Sequence, residues 1–270
     1  MEVILTLLNS TIDTTQARAL GGLLFFLPIF FFAHWVIKRG LQITLRPIAG
    51  YTALKGLMGR AAEVGQPVHL SLGTAGIGER FTADTMAGLN VLEYLADRGA
   101  ISATPPIVTL ANPTALPVAQ DVMRRAYRQQ GYPEEFDSTR ARFVAPDPNA
   151  YTAGQNNAFA YGAGTLRLIT QQKLTANIML GQFGDEFMLM AEAGANRQLM
   201  QIGGASEPSV LPLVQATMTH PLIGEEIYAG GAYLLDKPAH VSSLLAQDMM
   251  RWLIVTGISI VVLLRTLGLV

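Results

Sequence analysis

Three glycines set the first chemical question. Gly73, Gly76 and Gly78 stand in "VHLSLGTAGIGERFTADT", Val68 to Thr85, where an apolar run gives way to a glycine turn and then to a helix start. Backbone amides in such a turn are suited to a phosphate or another anion. The same glycines equally serve a tight turn and close packing of a helix on a strand. Comparable turns follow four further apolar runs: "NPT", "PDPNA", "QFGDE" and "GGASEP". In a parallel sheet all five lie at the carboxyl ends of the strands, where open α/β sheets bind ligands. The ligand-binding candidates on this rim are Gly73, Thr74, Gly76, Gly78, Asn112, Asp185, Gly203, Gly204 and Ser206. Thr82, Thr114, Asn149, Asp185 and Ser206 are placed to cap the following helices, and Pro208 suits a first helical turn.

The piece "GTAGIG" is similar to the glycine turn of short-chain dehydrogenases. That resemblance implies a dinucleotide and a downstream Tyr-x-x-x-Lys pair. Here "YTALK", Tyr51 to Lys55, has the spacing but precedes the glycines. The next strand, "PIVTLAN", does not end in an acid suited to a ribose hydroxyl. Asp185 and Glu186 are paired carboxylates that fit acid/base or metal chemistry, and also simply complement a helix dipole. His220, Glu225 and Glu226 lack the H-E-x-x-H spacing of a zinc site. His69 falls inside a strand and reads as a satisfied core or edge histidine. Ser71, Ser206 and Ser209 lack the G-x-S-x-G elbow, and no phosphate-binding G-x-x-x-x-G-K-[ST] occurs. The run "RRAYRQQ", Arg124 to Gln130, reads as a solvated helix face. The chain has no cysteine, which excludes disulfides and thiolate chemistry. Its net charge of −1 gives no global basic field for nucleic acid. No catalytic residue and no metal ligand is assigned, and the sequence requires no cofactor.

Candidate strands are Pro67–Leu72, Pro106–Ala111, Ala141–Ala145, Ala176–Gly181 and Arg197–Gly203. They are apolar on consecutive positions, as parallel strands covered on both faces must be. Between them lie helix candidates Ala83–Arg98, Ala115–Gln130, Tyr151–Gln172, Glu186–Ala193 and Pro208–Thr217. The alternation predicts an α/β fold, a Rossmann-like doubly wound parallel sheet of about five strands.

Half of the 270 residues are hydrophobic and only 14% are charged, against about 25% in ordinary soluble domains. Two segments account for this. Ala19–Ile37 carries no ionised residue and is long enough for the roughly 30 Å hydrocarbon core. Trp252–Val270 is apolar apart from Arg265, which can snorkel to the headgroups. The predicted organisation is a tail at 1–18, a transmembrane helix at 19–37, a juxtamembrane connector at 38–65, an α/β domain at 66–248 and a second transmembrane helix at 249–270. Lys38, Arg39, Arg46, Lys55, Arg60 and Arg251 flank the inner ends, which places the central domain in the cytoplasm.

The motifs "SLGTAGIGERFTADTMAGLNVLEYLA", "PDPNAYTAGQNNAFA", "GQFGDEF", "GGASEP" and "HPLIGEEIYAGGAYL" resemble an uncharacterised family of bacterial membrane-anchored proteins. The resemblance implies bacterial origin and an α/β domain beside membrane helices, and the expected location is the bacterial inner membrane. It supplies no reaction. The expected role is a membrane scaffold that self-assembles, with the bilayer, further copies of the chain and other membrane subunits as partners. Tyr228, Gly230, Gly231 and Tyr233 are the candidate oligomer contact, because tyrosines beside small residues favour interfaces. The alternatives are a small-ligand or nucleotide sensor, and a membrane-bound oxidoreductase or hydrolase.

Overall fold

The computed structural model describes residues 14–40, 43–144 and 155–267. In chain order the elements are α1 (Thr14–Lys38), α2 (Ala49–Val64), β1 (Val68–Gly73), α3 (Thr82–Ser102), β2 (Ile107–Leu110), α4 (Leu116–Gln130), β3 (Ala141–Phe143), α5 (Gln155–Gln171), β4 (Ala176–Gln182), α6 (Glu186–Asn196), β5 (Met200–Ala205), α7 (Leu211–Thr217), β6 (His220–Ile223), the short α8 (Gly230–Tyr233) and α9 (Pro238–Thr266). They form two compact units. One is Leu45–Leu235; the other is the described part of Met1–Thr44 and Asp236–Val270.

The first unit is α/β. Among the described residues its sheet has six strands in the order β3-β2-β1-β4-β5-β6. Every pairing is parallel. This is the doubly wound order, with its switch point between β1 and β4. The four inner strands β2, β1, β4 and β5 are buried on both faces, which is why their apolar residues run consecutively, as in Ile178-Met179-Leu180. One face carries Leu70, Leu72, Leu110 and Ile202, with α3 packed on β1 and β4 and α2 on β5 and β6. The other carries Ile107 and Met179 in a cluster with Phe183, which follows β4, and with Tyr161, Phe187 and Val214 from α5, α6 and α7.

The sequence predicts five strands, and the structure adds β6. Pro221 lies within it and lacks the N–H that a central strand needs. β6 stands at the sheet edge, where that donor is dispensable. The predicted connector at 38–65 contains α2, which buries Tyr51, Leu54, Leu57, Met58 and Ala61 in the α/β unit. The α/β unit ends at Leu235, and residues 238–248 belong to the continuous helix α9.

Helix capping also differs from expectation. Phe81 occupies the N-cap of α3, with no side-chain cap, and Thr82 is the first helical residue. Asn112, not Thr114, caps the 3-10 turn Pro113–Ala115. Asp185 stands at the start of α6 without a capping hydrogen bond. The helix expected from Pro208 begins at Leu211, with Pro212 in its first turn, so neither Ser206 nor Pro208 starts it. Asn149 and the Tyr151 start of its helix lie outside the described residues.

The second unit is built on α1 and α9, each long and apolar enough to cross a bilayer. The His34 ring Nδ1 lies 3.0 Å from Ser242 Oγ. Ala33, Ser242 and Ala246 are fully buried. Small residues of this kind let two helices approach closely.

Candidate functional site

The switch-point rim is the natural place for a ligand, and its first part is the loop from Gly73 to Phe81. β1 and β4 close on each other at its base. Thr74 N–H donates to the Gln182 carbonyl at 2.9 Å. A Cβ on Gly73 would fall 2.1 Å from that same oxygen, and Gly73 has a φ of +77°. Glycine is therefore required there by contact as well as by conformation.

Beyond that point the loop amides are consumed by the protein itself. Gly76 N–H donates to Glu79 Oε2 at 3.3 Å. Ile77 N–H donates to Thr114 Oγ1 at 2.9 Å. Gly78 and Glu79 both donate to Thr82 Oγ1, each at 2.9 Å. Asn112 locks the arrangement. Its Nδ2 donates to Glu79 Oε1 at 2.7 Å, and its Oδ1 accepts from the Thr114 amide and hydroxyl. Gly76 is a glycine because a Cβ would lie 2.3 Å from the Asn112 carboxamide. Of these four amides, one meets the Glu79 carboxylate and three meet threonine hydroxyls, so each already has an acceptor within the protein.

The helix starts around the rim are filled in the same way. Asp84, in the first turn of α3, is only 2% exposed. It accepts from Ser206 Oγ and Tyr228 Oη, both at 2.5 Å. These donors come from the loops after β5 and β6, so one carboxylate ties three segments together. Burial first, and then the hydrogen bond and charge of Asp84, push the Tyr228 hydroxyl up to about 12. At the start of α6, Glu186 is buried and accepts from the Gly184 amide at 2.8 Å. Burial raises its carboxyl above the usual range, against the opposing effect of that hydrogen bond.

The remaining expected site residues divide accordingly. Asn112 and Ser206 are brought into these internal networks. Asp185 is exposed. Gly203 and Gly204 are buried within β5. Added Cβ atoms there would meet Met218 Sδ at 2.7 Å and the Leu222 carbonyl at 2.5 Å, so these glycines serve packing. Of the expected oligomer contact, Gly230 and Gly231 are buried. Tyr233 stacks on Tyr51 and donates to the Arg46 carbonyl. Only Tyr228 presents a substantial surface, at 40% exposed. Tyr51 of "YTALK" is buried and donates to the carbonyls of Glu226 and Ile227, and burial raises its hydroxyl well above the ordinary tyrosine range.

A second polar assembly crosses the interior of the sheet. Ser71 Oγ lies 2.6 Å from Tyr161 Oη, and that hydroxyl lies 3.0 Å from Thr109 Oγ1. Thr109 Oγ1 lies 2.9 Å from His69 Nε2, and His69 Nδ1 lies 2.7 Å from Asn177 Oδ1. Asn177 Nδ2 donates to Gln201 Oε1 at 3.2 Å, and Gln201 Nε2 donates to the Thr217 carbonyl at 3.3 Å. The strand pairs His69–Asn177, Ser71–Thr109 and Asn177–Gln201 explain the alignment. Burial pulls His69 down to about 4, against the effect of its bond to Asn177, so the ring is neutral at pH 7. Every member from β1, β2, β4 and β5 is buried, which keeps Ser71 and His69 from any substrate.

Sequence reasoning missed Glu79 and Asp84. Their only local signal is an acid following a glycine turn, which reads equally as dipole complementation. Among the described residues no group of three or more His, Asp or Glu side chains is placed to hold a metal. No curated protein and no solved structure matches the chain. The profile of a domain of unknown function (DUF6754) matches residues 9–270, and the chain belongs to that family.

Proposed function

We propose that this protein is a membrane-anchored structural subunit that assembles with further copies of itself. In this reading α1 and α9 cross the inner membrane of a bacterium, and the α/β unit stands in the cytoplasm beside the positive flanks Lys38 and Arg39. The observation that carries it is the self-filled rim. Glu79, Asp84 and Glu186 occupy the loop and helix starts where a doubly wound sheet would receive an anionic ligand. Opening these positions to a phosphate would break internal hydrogen bonds and bring a second negative charge beside carboxylates, of which Asp84 and Glu186 are buried. A fold that commits its binding rim to its own cohesion is suited to a structural part. Tethering confines copies to one plane and raises their effective concentration.

Native mass measurement of the full-length chain in mild detergent tests the proposal. The expected result is a discrete multiple of the 29.1 kDa chain. A monomer at all concentrations overturns it. A small molecule released in stoichiometric amount on denaturation would favour the sensor reading instead.

A further inference from the structure

The sheet has an open side at β3. This strand ends the strand order and is paired with β2 alone among the described residues. Val144 N–H donates to the Leu110 carbonyl at 2.9 Å. Backbone groups of successive residues in a parallel ladder point to opposite sides of the strand. The N–H and C=O of Phe143 therefore point away from β2, and no described backbone group meets them there. An unpaired edge of this kind is a template for a further strand.

α5 flanks this edge. It approaches β3 closely at Gly164, where an added Cβ would lie 2.5 Å from Val144 Cγ1. Ala160, Gly164, Arg167 and Gln171 recur at four- and three-residue spacing and form one stripe along the helix. This stripe and Arg142–Val144 line a cleft of about 560 Å³. From Ala160 to Gln171 the helix rises about 16 Å, the reach of about five residues of extended chain.

Two cations mark the cleft. Arg142 and Arg167 are exposed. Arg142 Nε donates to the Thr139 carbonyl at 3.1 Å, and Arg167 Nε donates to Gln171 Oε1 at 3.4 Å. Neither guanidinium forms an ion pair with a described residue; Asp137 pairs with Arg140 instead. The open backbone suits an extended peptide, and the guanidiniums suit carboxylates, which arginine takes in a two-pronged bond. A small anion would meet the arginines but leave Phe143 unpaired. A second copy docking through the same edge would set its own Arg142 and Arg167 against these two, and like charges across a strand pair repel.

We propose that the cleft between β3 and α5 binds an extended acidic segment of a different protein, which adds to the sheet as a strand beside β3. Arg142 and Val144 share the face of β3 turned towards α5, so alternate residues of the added strand face α5 and carry the carboxylates. The proposal goes beyond the self-assembly reading and does not depend on it.

Fluorescence anisotropy with the full-length chain in mild detergent tests it. The probe is a fluorescein-labelled pentapeptide that alternates glutamate and valine. It should bind saturably with a Kd below about 1 mM, and the matching lysine–valine peptide should not bind. R142Q combined with R167Q should weaken binding at least about tenfold and leave the melting temperature unchanged, because both side chains are exposed. The glutamate peptide methylated on its backbone nitrogens keeps its charge but cannot pair as a strand, and should not bind. Ala163 also lines the cleft and is exposed, and the chain has no cysteine. A163C labelled with pyrene maleimide should therefore block the peptide. The proposal is overturned by absence of saturable binding, by equal binding of the methylated peptide, or by wild-type binding in either variant. Loss of the wild-type native mass in the double arginine variant would make the edge a contact between copies, and would overturn the proposal while self-assembly stood. A monomeric wild type that binds the peptide would overturn self-assembly alone.

Discussion

Asn112 Nδ2 and Glu79 Oε1 are 2.7 Å apart, and the other oxygen of that carboxylate receives the Gly76 amide. The loop after β1 thus carries its own anion. The melting temperature of the full-length protein should not change between phosphate and chloride at equal ionic strength. Glu79→Ala should lower stability by about 1–2 kcal/mol by orphaning the two donors. Thermal unfolding by circular dichroism reads both effects. A phosphate-dependent rise in the wild type would show that the amides remain available.

Gly76 and Gly78 should separate on alanine substitution. A Cβ at Gly76 collides with the Asn112 side chain, whereas Gly78 meets open space but has a φ of +89°. Gly76→Ala combines overpacking with distortion of the Asn112 network and should cost about 2–3 kcal/mol. Gly78→Ala should cost about 1 kcal/mol, from conformation alone. Denaturant midpoints in one detergent give the ranking, and equal losses would contradict the contact at Gly76.

Tyr228→Phe removes one of two hydroxyls from a buried carboxylate. The expected loss is about 1 kcal/mol, the lower end for a bond to a charged group because the tyrosine is partly exposed. In the wild type this phenol should ionise near 12. The 295 nm titration difference between wild type and variant should therefore lack a component near 10.

Acid should weaken the fold through His69. Its ring titrates near 6.5 when unfolded and at about 4 when folded. The unfolded chain binds the extra proton between these values, so stability is complete above about pH 6.5 and falls as the pH drops towards 4. The full difference is about 3 kcal/mol. Denaturant titrations at pH 7.5 and 4.5 should show a markedly smaller acid loss in His69→Gln than in the wild type.

Strand-helix alternation made the sheet legible because parallel strands such as β4 are apolar on consecutive residues. β6 was hidden by Pro221, since a sequence does not show which strand will stand at the edge. The glycines of the first turn were legible as a turn. Their service to Asn112 and Glu79 was not, because Asn112 arrives from a different strand. Gly230 and Gly231 read as surface contacts on composition, yet they pack inside the unit, with Gly230 beside Val91 and Tyr51. Local sequence carries no record of what a small residue will face. The uncharacterised family was recognisable from several motifs spread along the chain, and the profile match over residues 9–270 bears that out.

The polar line across the sheet fixes a proton at a distance. The Thr217 carbonyl can only accept, so Gln201 must turn its amide nitrogen towards it. The Gln201 oxygen then receives Asn177 Nδ2, which leaves Asn177 Oδ1 facing His69. His69 must donate from Nδ1, and its Nε2 is left to accept the Thr109 hydroxyl. A backbone oxygen at the end of α7 thereby selects the tautomer of an imidazole two strands away. Reversing any one amide would set donor against donor along the line.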